Sequence, residues 1–478
     1  MNIVVILLTL LVVLSGNIQA ILYIAGMFWL SKRAYSKTHT SIAFYLVLLI
    51  AYPQTFIGET DFDRNMPLLF SCLFLIHARG GGVRLPAIRL ERWQIIVLVA
   101  FCLMSLAVYL PIVTATYLSL DLVNGAAEQF VANDRGSHML SFVVPFIAAP
   151  MVTLGVMKGI TDRSDFGRLY TFLKTLLWIV VLPSFLRYAL EVDFIPQEYT
   201  PVRYEGNRLS AFMSPDSLGY GRRLLFPIAL VAAYAISSRR YRNDFLLLGV
   251  LMVTVAMTLG RTTYVSSFVV LFFVMLHNVG VKRVLIVSAV AVTLATVLTV
   301  SGVTGAMLAR TVGNDGGIML SGRNIIWGAA IQALSASPFV GLRPGGWTVM
   351  LLTGNVTYLI AVGQIHTMVA QSAHSFYLQG ALDWGIPIMV MLTAILIHSA
   401  VLMHTTARRL KHDVGQLGKF HIRNWAIATQ AATCGLLVHG ITEQVGYYLL
   451  FLLLGLSWSL YFITRRPSSF GVLLGASQ

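Results

Sequence analysis

FYLQGALDWGIPIMVMLTAILIHSAVLM, residues 376 to 403, holds a single charged side chain, Asp383, in 28 positions. As an α-helix the run spans about 42 Å, more than the roughly 30 Å of a bilayer's hydrocarbon core. Lipid offers the backbone no water, so such a run must satisfy its own hydrogen bonds as a helix. Comparable apolar runs recur along the chain, near 3–30, 41–57, 67–77, 94–111, 139–157, 171–190, 218–236, 245–259, 264–277, 283–300, 425–440 and 447–463. Composition agrees: 57% of the residues are hydrophobic and 11% charged, with mean hydropathy +0.77, against roughly 25% charged in a soluble domain. The expectation is an all-α polytopic membrane protein with about 12–14 transmembrane helices. It forms a single membrane domain over 1–478, with N-terminal helices in 1–200 and a core in 200–460. No internal repeat or soluble domain interrupts it.

The formal net charge is +15. In a soluble chain that would point to nucleic acid; here the placement of the charge decides, and no nucleic-acid partner is expected. Basic residues gather in seven stretches: Lys32, Arg33 and Lys37; Arg79, Arg84, Arg89 and Arg92; Lys158, Arg163 and Arg168; Arg239, Arg240 and Arg242; Lys282 and Arg283; Arg408, Arg409, Lys411, Lys419 and Arg423; Arg465 and Arg466. Between them lie acid-bearing stretches such as GETDFDRN, 58 to 65. The positive-inside rule makes the seven cytoplasmic, together with the C-terminus. Lys32, the first lysine, follows the first apolar run, so that run is expected to stay as a span rather than be cleaved. Cys72, Cys102 and Cys434 lie in apolar segments without metal-ligand spacing and read as small buried hydrophobes.

Residues 301–375 form the one long break, outside the cytoplasm by parity. A helix is expected from about 322 to 336, with Ser321 as N-cap and Pro338 as its end. Trp327 and Ile331 share its apolar face, as in a helix lying in the membrane interface.

Eight arginines fall toward the outer face: Arg203, Arg208, Arg222, Arg223, Arg261, Arg310, Arg323 and Arg343. Any one of them is explained by snorkelling or by an outer acid such as Glu191, Asp193, Glu198 or Glu205. Eight on the disfavoured side point to an anionic ligand. Arg261 sits in TLGRTTY at a turn between two spans. Arg323, in SGRNIIW, opens the expected helix, where free N–H groups and the dipole add to its charge. Arg208, in NRLSAFMSPDSLGYG, precedes a Pro-Asp turn leading to Arg222 and Arg223. Guanidinium forks bind phosphate oxygens in pairs and stay charged at any working pH. The set describes a pocket for a diphosphate.

His374, in QSAHSFYLQGALDWGIP, stands where the long loop meets a span. Tyr377 and Leu378 follow, expected on its face, with Gly380 and Gly385 allowing close approach. Asp383 falls about half a turn away at ~100° per residue, so it does not orient the ring. Glu443, the one carboxylate in HGITEQVGYY between the last two spans, is the candidate partner. A histidine at such a surface can act as general base for a hydroxyl, and diphosphate leaves readily once cations take up its charge. Histidine and arginines together describe glycosyl transfer from a lipid diphosphate.

Arg208 with its Pro-Asp turn, Arg261 after a span, SGRNIIW at 321–327, SPFVG at 337–341 and AHSFYLQGALDWGIP at 373–387 stand in an order that resembles the O-antigen ligase and polymerase family of bacterial membrane glycosyltransferases, over roughly 200–460. The resemblance implies a multi-pass protein of the bacterial inner membrane with its active site toward the periplasm. It implies a glycan donor on undecaprenyl diphosphate, a glycan or lipid A core as acceptor, and inverting, metal-independent transfer without a cofactor. His374 would match the family's catalytic histidine, and Arg208 and Arg261 its diphosphate arginines. The family usually has Pro-Asn where this chain has Pro215-Asp216, and His-Asn where it has His374-Ser375. Between polymerase and ligase, polymerisation in polysaccharide assembly is the preferred expectation. Two rival readings stand beside it. Asp61 and Asp63 have the form of an acidic pair holding a divalent cation in a metal-dependent polytopic glycosyltransferase. A transporter or flippase for lipid-linked sugar would bury charge in mid-span, where Lys174 and Arg187 are the main cases.

Overall fold

The computed structural model describes residues 153, 156–157, 165–190, 217–258, 260–280, 323–342, 373–413, 417–443, 445 and 447–465. Among the described residues every regular element is helical and none is a strand. In chain order these are α1 (Asp165–Leu190), α2 (Ser217–Arg223), α3 (Leu225–Ser237), α4 (Asp244–Met257), α5 (Arg261–Asn278), α6 (Arg323–Ala336), α7 (Phe376–Trp384), α8 (Ile386–Arg409), α9 (Leu417–His439) and α10 (Tyr447–Arg465), with one-turn 3₁₀ segments at Arg239–Tyr241 and Leu410–Asp413. The expected spans 3–30, 41–57, 67–77, 94–111 and 283–300, and most of 139–157, lie outside the described residues. So do Asp61, Asp63, Cys72, Cys102, Ser321 and most of 301–375.

Two expected spans are each a pair of helices. The run 218–236 breaks at Leu224 because Pro227 has no N–H to give to Arg223 and its ring crowds that carbonyl. The run 376–403 breaks at Gly385, whose φ of +87° suits a residue without a side chain. Pro387, in the first turn of α8, fits the restart. The SPFVG segment seats itself on this break. Ile386 N–H donates to Pro338 O (2.9 Å) and Leu342 N–H to Leu382 O (2.6 Å). A Cβ on Gly385 would collide with the Phe339 carbonyl, and one on Gly341 (φ +72°) with the carbonyls of α7. Two motifs far apart in sequence are thus one joint.

α9 is the axis of the bundle, with α5, α8, α3, α10 and α1 packed around it. Its alanines and Gly435 let neighbours come close: a Cβ on Gly435 would stand 2.5 Å from Val270 Cγ2 of α5. Trp425, fully buried, donates its indole N–H to Phe166 O of α1 (3.1 Å). Polar side chains also lie inside: Asn424, Thr429, Thr433, Ser457 and Ser459 are buried, and Ser399 of α8 donates to Ser457 of α10 (2.6 Å). Large apolar side chains face outward, among them Leu246 and Val253 of α4, Val265, Phe268 and Phe272 of α5, and Val390, Ile397 and Val401 of α8. By length and composition, α8 can cross a membrane.

Several expected positions need correction. Arg423 is not a loop cation, because α9 starts at Leu417 rather than near 425. It is 7% exposed and donates to Asn278 Oδ1 (3.1 Å) and His277 O (3.0 Å). A cation there satisfies the open carbonyl end of α5 and opposes its dipole. Lys174 lies within α1 as expected, but it is paired: its ammonium meets Asp244 Oδ1 (3.0 Å), and Asp244 occupies the first turn of α4, where negative charge is favoured. The Arg187 side chain lies outside the described residues. On α6 the buried seam runs through Ile326, Ala329, Ala330, Ala333 and Leu334, while Ile331 is exposed and Trp327 half-buried. Cys434 is half-buried on α9.

The end of the bundle that carries the described basic residues around Arg239, Arg408 and Arg465 is closed by an aromatic and polar cluster. Tyr170 and Tyr234 stack at 3.6 Å, Tyr170 donates to Asp244, and Tyr234 Oη pairs with His421 Nδ1 (2.8 Å). Along α9, His421 and His439 are 18 residues and about 27 Å apart. Among the described residues, His374, Glu443, Arg323, Arg222 and Arg261 gather toward the His439 end.

Candidate functional site

Glu443 is the hub. Its Oε1 accepts a charge-assisted hydrogen bond from Arg323, the first residue of α6, and its Oε2 lies 3.8 Å from His374 Nδ1. Burial by itself raises the Glu443 carboxyl, but the hydrogen bond from His374 and the charges of Arg323 and His374 outweigh it and hold the group below the ordinary carboxylate value. One carboxylate therefore bridges the guanidinium that opens α6 and the imidazole that precedes α7.

Backbone contacts fix that bridge. His439 O closes α9 by accepting the N–H of Thr442 (3.3 Å) and of Glu443 (3.1 Å), which winds 440–443 into a tight turn. Phe376 N–H then donates to Gly440 O (2.8 Å) and Glu443 O (3.1 Å), tying the start of α7 to the same turn. Ser375 is the N-cap of α7: its hydroxyl accepts from Leu378 N–H and donates to Gly440 O, both at 3.4 Å. A seryl oxygen thus caps the helix at the position after His374.

His374 itself is not on the helix, so the expected sharing of a face with Tyr377 and Leu378 does not hold. It precedes the N-cap with φ +46°, the one non-glycine residue at positive φ among the described residues. A left-handed backbone costs an L-residue about 1–2 kcal/mol and persists where its surroundings enforce it. The enforcement is visible at Ala373, held at both polar groups: its N–H donates to Gln379 Oε1 (3.0 Å) and its carbonyl accepts the Trp327 indole N–H (2.9 Å). Gln379 in turn donates to Asp383 Oδ1 (2.9 Å). Asp383 does not touch the histidine but steadies, through Gln379, the backbone before it.

Of the expected anion-binding arginines, Arg323 is in the cluster, engaged with Glu443. Arg222, half-buried in the last turn of α2, is close enough to act electrostatically on His439. Arg261 begins α5 and is exposed; the next residue, Thr262, meets Thr442 hydroxyl to hydroxyl at 2.7 Å, which brings α5's N-terminus to the Glu443 turn. Arg223 follows Arg222 and is half-buried. Arg203, Arg208, Arg310 and Arg343 lie outside the described residues. Among the described residues no three His, Cys, Asp or Glu side chains are placed to hold a metal ion.

Sequence reasoning missed His439, which is 2% exposed with Arg222, Glu443 and Arg323 as its charged neighbours. Its spacing of four from Glu443 at a helix end was the available signal. It also missed Trp327 and Gln379 as clamps, because both act on backbone that is remote in sequence or irregular. Compared with protein-family models and with curated proteins, the chain matches none.

Proposed function

We propose that the protein is a polytopic membrane glycosyltransferase that moves a glycan from a lipid diphosphate, undecaprenyl diphosphate in a bacterial inner membrane, to a sugar hydroxyl on the periplasmic side. The observation that carries this reading is the meeting of His374, Glu443 and Arg323 at one end of the bundle, with Arg222 and Arg261 at the same end. Outward apolar faces on α4, α5 and α8, with hydroxyls and amides turned inward, support several membrane-crossing helices, since lipid rather than water rewards that inversion. The described basic residues around Arg239, Arg408 and Arg465, at the opposite end, support a periplasmic site.

In the proposed reaction His374 removes the proton of the acceptor hydroxyl as its oxygen attacks the anomeric carbon. The bond from that carbon to the phosphate oxygen breaks, and the electron pair leaves with the diphosphate. Glu443 balances the imidazolium that forms, and Arg323 holds Glu443 in place. Arg261 and Arg222 receive the developing phosphate charge, with Arg208 and Arg223 as further candidates. Repeat units joining one another, as in O-antigen or exopolysaccharide assembly, is the preferred form, and transfer to lipid A core the other. The test is transfer by purified protein in lipid, supplied with a lipid-linked glycan and acceptor. His374→Ala is expected to abolish product while the protein still unfolds cooperatively; normal transfer by that variant removes the histidine from the mechanism.

A transporter for lipid-linked sugar is the second reading, favoured by the polar chain of Arg423, His277, Gln430 and His404 within the bundle. His277 Nε2 meets Gln430 Oε1 at 2.6 Å, and Gln430 Nε2 meets His404 Nδ1 at 3.4 Å. Vesicle uptake without any covalent product would select it.

A further inference from the structure

His374 is held between two anchored stretches of backbone. On the leaving side, Phe376 N–H is bonded to Gly440 O (2.8 Å) and Glu443 O (3.1 Å), so the chain departs against the end of α9. On the entering side Ala373 is gripped twice: the Trp327 indole N–H of α6 holds its carbonyl (2.9 Å), and Gln379 Oε1 of α7 holds its N–H (3.0 Å). The φ of +46° at His374 joins these two fixed ends, a strained conformation that persists only while its surroundings enforce it. Loosening either grip on Ala373 lets the backbone relax, and the imidazole moves with it.

The two grips differ in kind. An indole N–H only donates, so Trp327 can meet a carbonyl in one way. A glutamine amide carries an oxygen that accepts and a nitrogen that donates at the ends of one planar group, and half a turn exchanges them. Only the oxygen can hold the Ala373 N–H; with the nitrogen there, two donors would face each other. The choice is made one turn further along α7. Gln379 and Asp383 stand four residues apart on one face of the helix, and Gln379 Nε2 donates to Asp383 Oδ1 (2.9 Å). The carboxyl oxygen takes the amide nitrogen and leaves the amide oxygen for Ala373.

The location of Asp383 gives this contact weight. It is 5% exposed, and an acid loses its hydration when buried. It lies in the last turn of α7, where the helix dipole disfavours negative charge, and the N-cap of α8 is Gly385. Helix stability therefore supplies no reason for an acid at 383, whereas the orientation of Gln379 does.

We propose that Gln379 and Asp383 are positioning residues for the transfer reaction: Asp383 sets which way the Gln379 amide points, and the amide oxygen so presented holds the backbone that keeps His374 in its left-handed conformation. The inference rests on His374 as the base of the proposed reaction. Neither residue touches the imidazole. Their effect reaches it through the Ala373 peptide, as the effect of Arg323 reaches it through Glu443.

The test is transfer by the full chain in lipid with a lipid-linked glycan and acceptor, resolved into kcat and KM. Thermal unfolding and deuterium uptake of the peptide containing Ala373 are measured alongside. Gln379→Met removes both hydrogen bonds at nearly constant size; it is expected to lower kcat at least about 10-fold with KM within about 3-fold, and to speed uptake at Ala373. Asp383→Leu should do the same. Asp383→Asn keeps an oxygen for the Gln379 nitrogen and should stay within about 3-fold of wild type in kcat. The double variant, Gln379→Met with Asp383→Leu, should be no slower than the worse single, because the two act in one chain of contacts. If Asp383→Leu does not fold, Gln379→Met and Asp383→Asn decide. Wild-type kcat in folded Gln379→Met, a loss confined to KM, losses that add in the double variant, or Asp383→Asn as slow as Asp383→Leu overturns the positioning role. An inactive His374→Ala beside any of these leaves the base standing, whereas normal transfer by His374→Ala overturns both.

Discussion

Glu443→Gln removes one negative charge from the hub and keeps its shape. The carboxylate is 15% exposed and Arg323 20% exposed. Breaking a fully buried pair from one side costs about 3–5 kcal/mol; with both partners still touching solvent, and with a glutamine oxygen left to accept, about 1–2 kcal/mol is expected here. The pH dependence separates this from a packing effect. Because the folded carboxyl is held below its usual value, its stabilisation is complete above the unfolded glutamate value of about 4.3. It is lost as pH falls through the lower folded value. Thermal unfolding of the detergent-solubilised protein from pH 7 down to about 3 should show wild type ahead of Glu443→Gln at neutral pH and the gap closing in acid. Transfer should fall about 10²-fold in the variant, because the imidazolium loses its counter-charge. A gap that persists unchanged in acid, or none at pH 7, would refute the argument that charge makes Glu443 the hub.

His374→Gly and His374→Ala both remove the imidazole, but only glycine relaxes at φ +46°, so thermal unfolding should rank the glycine variant more stable by about 1 kcal/mol. Gly385→Ala places a side chain at φ +87° against the Phe339 carbonyl; it should lower the unfolding temperature sharply and separate the SPFVG segment from α7, seen as new protease cleavage near residue 340. Arg261→Lys keeps the charge at the start of α5 but loses the paired donors, and should cut transfer far more than it alters unfolding.

Apolar run length carried the helices well, because a nearly uncharged run of spanning length admits few other readings. The runs 245–259 and 447–463 became α4 and α10 to within two residues at each end, and 171–190 became α1, which starts earlier, at Asp165. Breaks were harder to see. Gly385 and Pro227 lie inside the expected spans 376–403 and 218–236, yet SPFVG seats itself on the first and a helix ends at Arg223 before the second. Arg423 was misplaced, and the partner of Lys174 unforeseen, because charge counting knows nothing of an open helix end or a facing aspartate across the bundle. At the site, the pairing of His374 with Glu443 was legible because Glu443 is the one carboxylate in the turn between the last two spans. The left-handed backbone at His374 was not, since it is imposed by Trp327 and Gln379 through Ala373 rather than by local sequence. For His439 the spacing of four from Glu443 was the one signal, and its burial is set by tertiary packing that the local sequence does not show.

Mass analysis of carrier-lipid glycans in cells lacking the gene, and in cells carrying His374→Ala, tests the central claim most directly. The account predicts the same accumulation in both: single repeat units on undecaprenyl diphosphate for a polymerase, full-length chains for a ligase. Carrier lipids indistinguishable from wild type in both strains would contradict it.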